Sequence, residues 1–134
     1  MTGGPAPEPL LRRTRELRLG LLRLHKTLLD AERAIYERVY GQVTGGELLQ
    51  LVIGDEHFAW LHTISELIVR IDEMLDAEEP TAGAAQSLFA RARATLIPSE
   101  GGDEFGRKYF AALQRDPDAV LAHRKVTQVL SADT

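Results

Sequence analysis

Cysteine is absent from the 134-residue chain. That removes disulfides, thiolate metal sites and thiol nucleophiles, and it suits a reducing cytoplasm. No uninterrupted apolar run approaches the roughly 18 residues of a membrane span. The opening stretch, Met1 to Pro9, is rich in glycine and proline and lacks the apolar core of a signal peptide. The expectation is a soluble, cytoplasmic protein with no membrane partner. Strand-like alternation and internal repeats are missing too. So are the Gly-x-Ser-x-Gly elbow, the Gly-x-x-x-x-Gly-Lys phosphate loop and the His-Glu-x-x-His zinc motif. No catalytic residue stands out, and the leaning is away from an enzyme.

A surplus of one charge sign is confined to parts of the chain. The net charge is −4, yet residues 1–26 hold six basic and two acidic groups while residues 27–80 hold three and twelve. Arg12, Arg13, Arg15 and Arg18 make up most of the basic end. Nucleic-acid binding calls for a wider basic field and a groove-entering motif. The acidic stretch that follows repels phosphate, so no nucleic-acid partner is expected. Basic and acidic ends of antiparallel helices facing each other account for the pattern.

What the chain does have is helical periodicity. Leu17, Leu21, Leu24, Leu28, Ala31 and Ile35 recur in steps of four and three, as do Leu61, Ile64, Ile68, Ile71 and Leu75. Each set stacks on one side of an α-helix and needs a surface to cover it. Residues 1–8 are expected to be a disordered tail and residues 9–131 a single helical domain. The first helix is predicted from Pro9 to Tyr40, with Gly41 as its C-terminal cap. Gly20 within it marks close packing or a bend. Thr44-Gly-Gly-Glu47 is a capping-box sequence, opening a second helix predicted to continue to about Ala77. Thr81 caps a third, which carries Ala85, Leu88, Phe89, Ala92 and Leu96 and stops at Pro98. Asp103 caps a fourth with Phe105, Tyr109, Phe110 and Leu113, and Asp116-Pro117 breaks and restarts it. The restarted helix shows Val120, Leu121, Val126, Val129 and Leu130. The fold class is all-α: an antiparallel four-helix bundle with two long helices as a hairpin, a shorter third, and a fourth broken at Pro117.

Polar residues sit inside the apolar arcs. At about 100° per residue, Thr14, His25, Glu32 and Tyr36 fall near the middle of the first helix's arc. His57 lies within the arc of the second, with Glu56 at its edge. Folding the hairpin about residues 42–44 sets Glu32 opposite His57, and places His25, Glu32 and His57 in one interior region. Buried polar groups need partners. The cluster is therefore a structural network, the wall of a cleft or dimer interface, or a ligand or metal site. Helical bundles hold metals through inward carboxylates and imidazoles. Here Glu-x-x-His is absent, and Ala82–Ile97 contains no Asp, Glu or His. No cofactor is assigned, with a divalent metal as the alternative. His62 and His123 are assigned to the surface, His62 beside Glu66. Leu51, Phe58 and Val69 lie well off the main arc of the second helix, as a second apolar stripe suited to self-association. The sequence thus suggests a non-enzymatic interaction module, a homodimer. The alternative is a small-ligand or metal-binding bundle using His25, Glu32, Tyr36, Glu56 and His57.

Overall fold

The computed structural model describes residues 4–132. These residues are all-helical: α1 Glu8–Tyr40, α2 Gly45–Gly54, a 3-10 segment Glu56–Leu61, α3 His62–Leu75, α4 Ala82–Thr95, α5 Glu104–Arg115 and α6 Pro117–Ser131. The four elements expected from periodicity are thus six α-helices and one 3-10 segment among the described residues.

The main departure is the second predicted helix, which is not continuous. Gly54 weakens the helix, and Asp55 adopts an extended conformation (φ −91°, ψ 137°) and ends it. The Asp55 Oδ1 then accepts from the His57 amide at 2.8 Å, so this aspartate caps the 3-10 segment that follows. The interruption resets the helical phase. Phe58 is fully buried rather than part of an outer stripe, while Leu51 is half-buried and Val69 is exposed. The second apolar stripe is therefore corrected: its three members do not share a face.

α1 is the long central element. Leu10, Leu17, Leu21, Leu24 and Leu28 are buried along one side of it, against α3, α4 and α6. Arg18 pairs with Asp72 of α3, and Glu32 meets the 3-10 segment before α3, so α1 and α3 run antiparallel. The pairing of Arg18 with Asp72 is the expected meeting of basic and acidic ends. α6 is antiparallel to α1 as well. A Cβ added at Gly20 would lie 3.1 Å from Val126 Cγ2, which explains the glycine by close approach rather than by a bend. At the same end Arg13 donates to the Ala132 carbonyl (2.8 Å) and Arg93 to the Leu130 carbonyl (2.7 Å). Two guanidiniums thus satisfy carbonyls that the end of α6 leaves open. Both also lie over the Phe89 ring, at 4.8 and 5.8 Å.

Two further expectations are corrected. Part of the predicted tail is ordered: Ala6 N–H donates to the Pro80 carbonyl, and Ala82 N–H donates to that of Gly4. Residues 1–3 lie outside the described residues. On α6 the inner positions are Ala119, Val126 and Leu130, while Val120 and Leu121 are 37% and 56% exposed. Pro117 occupies the first turn, capped by Asp116, and this start sets the phase that turns both outward. His123, assigned to the surface, is half-buried, and its Nδ1 lies 2.5 Å from the Tyr109 hydroxyl. Burial raises the Tyr109 pKa and lowers that of His123. The neutral phenol therefore donates to a neutral imidazole.

Candidate functional site

Glu32 is the polar centre of the molecule. It lies on the buried face of α1, four residues after Leu28, with 6% of its surface exposed. A carboxylate so enclosed needs hydrogen-bond donors, and they come from two other elements. Arg115, the last residue of α5, donates from Nη2 to Glu32 Oε1 at 2.6 Å. Trp60 in the 3-10 segment donates from Nε1 to Oε2 at 3.4 Å. His57 Nε2 lies 3.2 Å from Oε2 and 3.1 Å from the Glu32 main-chain carbonyl. A carbonyl only accepts, so Nε2 carries the proton. Glu32 thus ties the 3-10 segment and α5 to α1.

Of the residues singled out in the sequence, Glu32 and His57 are brought together. Tyr36 lies beside them, its ring centroid 5.8 Å from His57 and 5.7 Å from Phe58. Glu56 is exposed. His25 is not hydrogen-bonded to the cluster: its Nε2 is buried without a partner. Burial lowers its pKa, and the charge of His62 lowers it further. His62 itself does not pair with Glu66. Its Nε2 donates to the Val52 carbonyl at 2.7 Å, and Glu66 takes Arg70 and Arg91 at 3.2 and 3.3 Å. Arg115 and Trp60 complete the cluster without a local spacing signal, since they lie 83 and 28 residues from Glu32.

Glu32, Ile35, His57, Trp60, Lys108, Ala111 and Arg115 line a cleft of about 210 Å³. Glu32 and His57 are the two metal-ligating types on this wall, and among the described residues no three His, Asp or Glu side chains converge as a metal site. Donors already engage both Glu32 carboxylate oxygens, which leaves it poorly placed to hold a metal ion.

A second feature lies beyond the end of α1. The α2 sequence, Gly45-Gly-Glu-Leu-Leu-Gln-Leu-Val-Ile-Gly54, is half apolar, yet none of its residues is buried. Leu48, Leu51 and Val52 rest against the core, while Leu49 and Ile53 are 59% and 63% exposed. The helix is held at its start by the predicted capping box. Glu47 N–H donates to Thr44 Oγ1 (3.1 Å), and Thr44 N–H donates to Glu47 Oε1 (2.8 Å). The latter bond lowers the Glu47 pKa. Before it, Arg33 reaches the Val43 carbonyl at 2.6 Å and fixes the connecting loop. At the C-terminus of α1, Val39 and Tyr40 are 69% and 72% exposed.

No protein-family model matches this sequence, no curated protein matches it significantly, and no solved structure matches its fold significantly. The residues themselves carry the functional reading.

Proposed function

We propose that this protein is a non-enzymatic interaction module that associates with a second copy of itself through α2. The exposed apolar face of that helix carries the reading. Leu49 and Ile53 are one turn apart on it, with Gly45, Gly46, Gln50 and Gly54 around them. None of these residues is charged. A Cβ built at any of the three glycines meets nothing within 4 Å, so the fold of one chain gives no packing reason for them. Each costs the helix up to about 1 kcal/mol against alanine. Glycines allow a second backbone to come close, and an uncharged apolar strip is best covered by another uncharged apolar strip. Its own copy, related by a two-fold axis, supplies one.

The patch is small. With Val39 and Tyr40 it offers fewer residues than the about 20–30 per side of a standard interface. The dimer is therefore expected to be weak and concentration-dependent. On this reading α1, α3, α4 and the broken α5–α6 pair form a four-membered bundle as scaffold, and the cysteine-free chain works in the cytoplasm. Light scattering after size exclusion tests it. The mass should rise toward twice 14.9 kDa as concentration increases, and the double variant Leu49→Asp, Ile53→Asp should stay monomeric with unchanged helicity. A wild-type chain that remains monomeric throughout removes the proposal.

A further inference from the structure

We infer that the cleft between α1, the 3-10 segment and α5 binds a small organic carboxylate, anchored by Lys108 and Arg115 with its apolar body against Trp60 and Ile35.

The cleft leaves part of its donor capacity unused. Glu32 has a donor on each oxygen, from Arg115 on Oε1 and from Trp60 on Oε2. Arg115 has five N–H donors in principle, and one of them is committed to Glu32. Lys108 lies two turns before Arg115 on α5, on the same stripe, and makes no ion pair among the described residues. It lines the cleft as well, and an ammonium has three donors to offer. One cation therefore balances Glu32, and a second remains for a monoanion. Carboxylates suit this arrangement because arginine and lysine bind them by charge-assisted hydrogen bonds.

Beside Glu32 and its partner His57, the rest of the lining is apolar: Ile35, Ala111 and the Trp60 ring. An inorganic anion would leave that wall against water, whereas an organic acid covers it. At about 210 Å³ the cleft is smaller than the roughly 300–1,000 Å³ of pockets for drug-sized ligands. That limits a ligand held within it to one small molecule. The inference is independent of self-association through α2.

Trp60 is the sole tryptophan, so its emission reports directly on this wall. Benzoate and isobutyrate are the probes, with benzamide and inorganic phosphate as controls. At least one of the two carboxylates should change Trp60 emission saturably, as benzamide and phosphate do not. Lys108→Gln should weaken that binding about tenfold, the scale of one lost charge-assisted hydrogen bond, with the far-ultraviolet circular dichroism unchanged. Calorimetry on the same samples separates binding from collisional quenching. The inference is overturned if neither carboxylate binds, if benzamide or phosphate binds as well as they do, or if Lys108→Gln binds like the wild type.

Discussion

α2 and α3 are separated in the chain only by Asp55 and the 3-10 segment and are both rich in aliphatic residues, yet they end in opposite situations. α3 buries Ile64, Leu67, Ile68, Ile71 and Met74, while α2 buries none of its residues. Composition does not separate them; what they pack against does. α3 lies along α1 and α4, whereas α2 rests chiefly on the 3-10 segment that follows it. Apolar character alone therefore does not assign a helix to the core. A helix is buried when two or more neighbours cover it, and one with a single short neighbour keeps an apolar face uncovered.

The contrast can be broken by substitution. Ile64→Ala or Ile71→Ala should cost about 2–5 kcal/mol in denaturant unfolding, since both side chains are fully enclosed and the cavity is not refilled. A loss below about 1 kcal/mol would mean that α3 is no better packed than α2. Glu32→Ala should cost about 1–3 kcal/mol, because it leaves the buried Trp60 N–H without an acceptor. Arg115, 43% exposed, rehydrates and adds little to that loss. Thr44→Ala should cost about 1 kcal/mol by removing the α2 cap, and hydrogen exchange should accelerate in α2 before α3. Leu49→Ala and Ile53→Ala should change the stability of a dilute sample by less than about 0.5 kcal/mol.

Acidification sharpens the comparison from another side. His25 and His123 have lowered pKa values in the folded chain because burial disfavours their charged forms. In the window below the unfolded value of about 6.5, the unfolded chain binds more protons, so stability falls as pH falls. Above that value these two groups contribute no slope. Denaturation midpoints should therefore drop between pH 7.5 and pH 5.5. The drop should shrink in His25→Leu, which also removes a buried nitrogen that has no partner. An unchanged slope in that variant would place its origin elsewhere.

Much of the fold is legible in the residues. The leucine stripe of α1, the Thr44–Glu47 box, the Thr81 and Asp103 caps and the restart at Asp116-Pro117 each follow from local rules, and each recurs in the structure. Gly54-Asp55 obeys the same logic as Asp116-Pro117, a weak helical residue beside a strong cap. It is harder to recognise because apolar residues continue at helical spacing on both sides of it. Placing Glu32 opposite His57 needs only a hairpin and a register. Arg115 is different: its meeting with Glu32 depends on how α5 docks, which no local spacing encodes. Trp60 is legible as an inner residue but not as a donor, since the 3-10 segment sets its direction. His25 falls outside the cluster despite sharing the Glu32 stripe, because two turns of helix carry it about 10 Å away along the axis.

The hold of Arg13 on the end of α6, together with the pairing of Gly4 and Ala6 to the turn before α4, brings residues 4 and 132 to one pole. α2 begins at the other end of a 33-residue helix, about 50 Å distant at 1.5 Å per residue. Purification tags or fluorophores attached at either extremity therefore leave the glycine-flanked helix unobstructed. A single flexible peptide joining residues 4 and 132 offers a way to reopen the chain within the 41–44 connection.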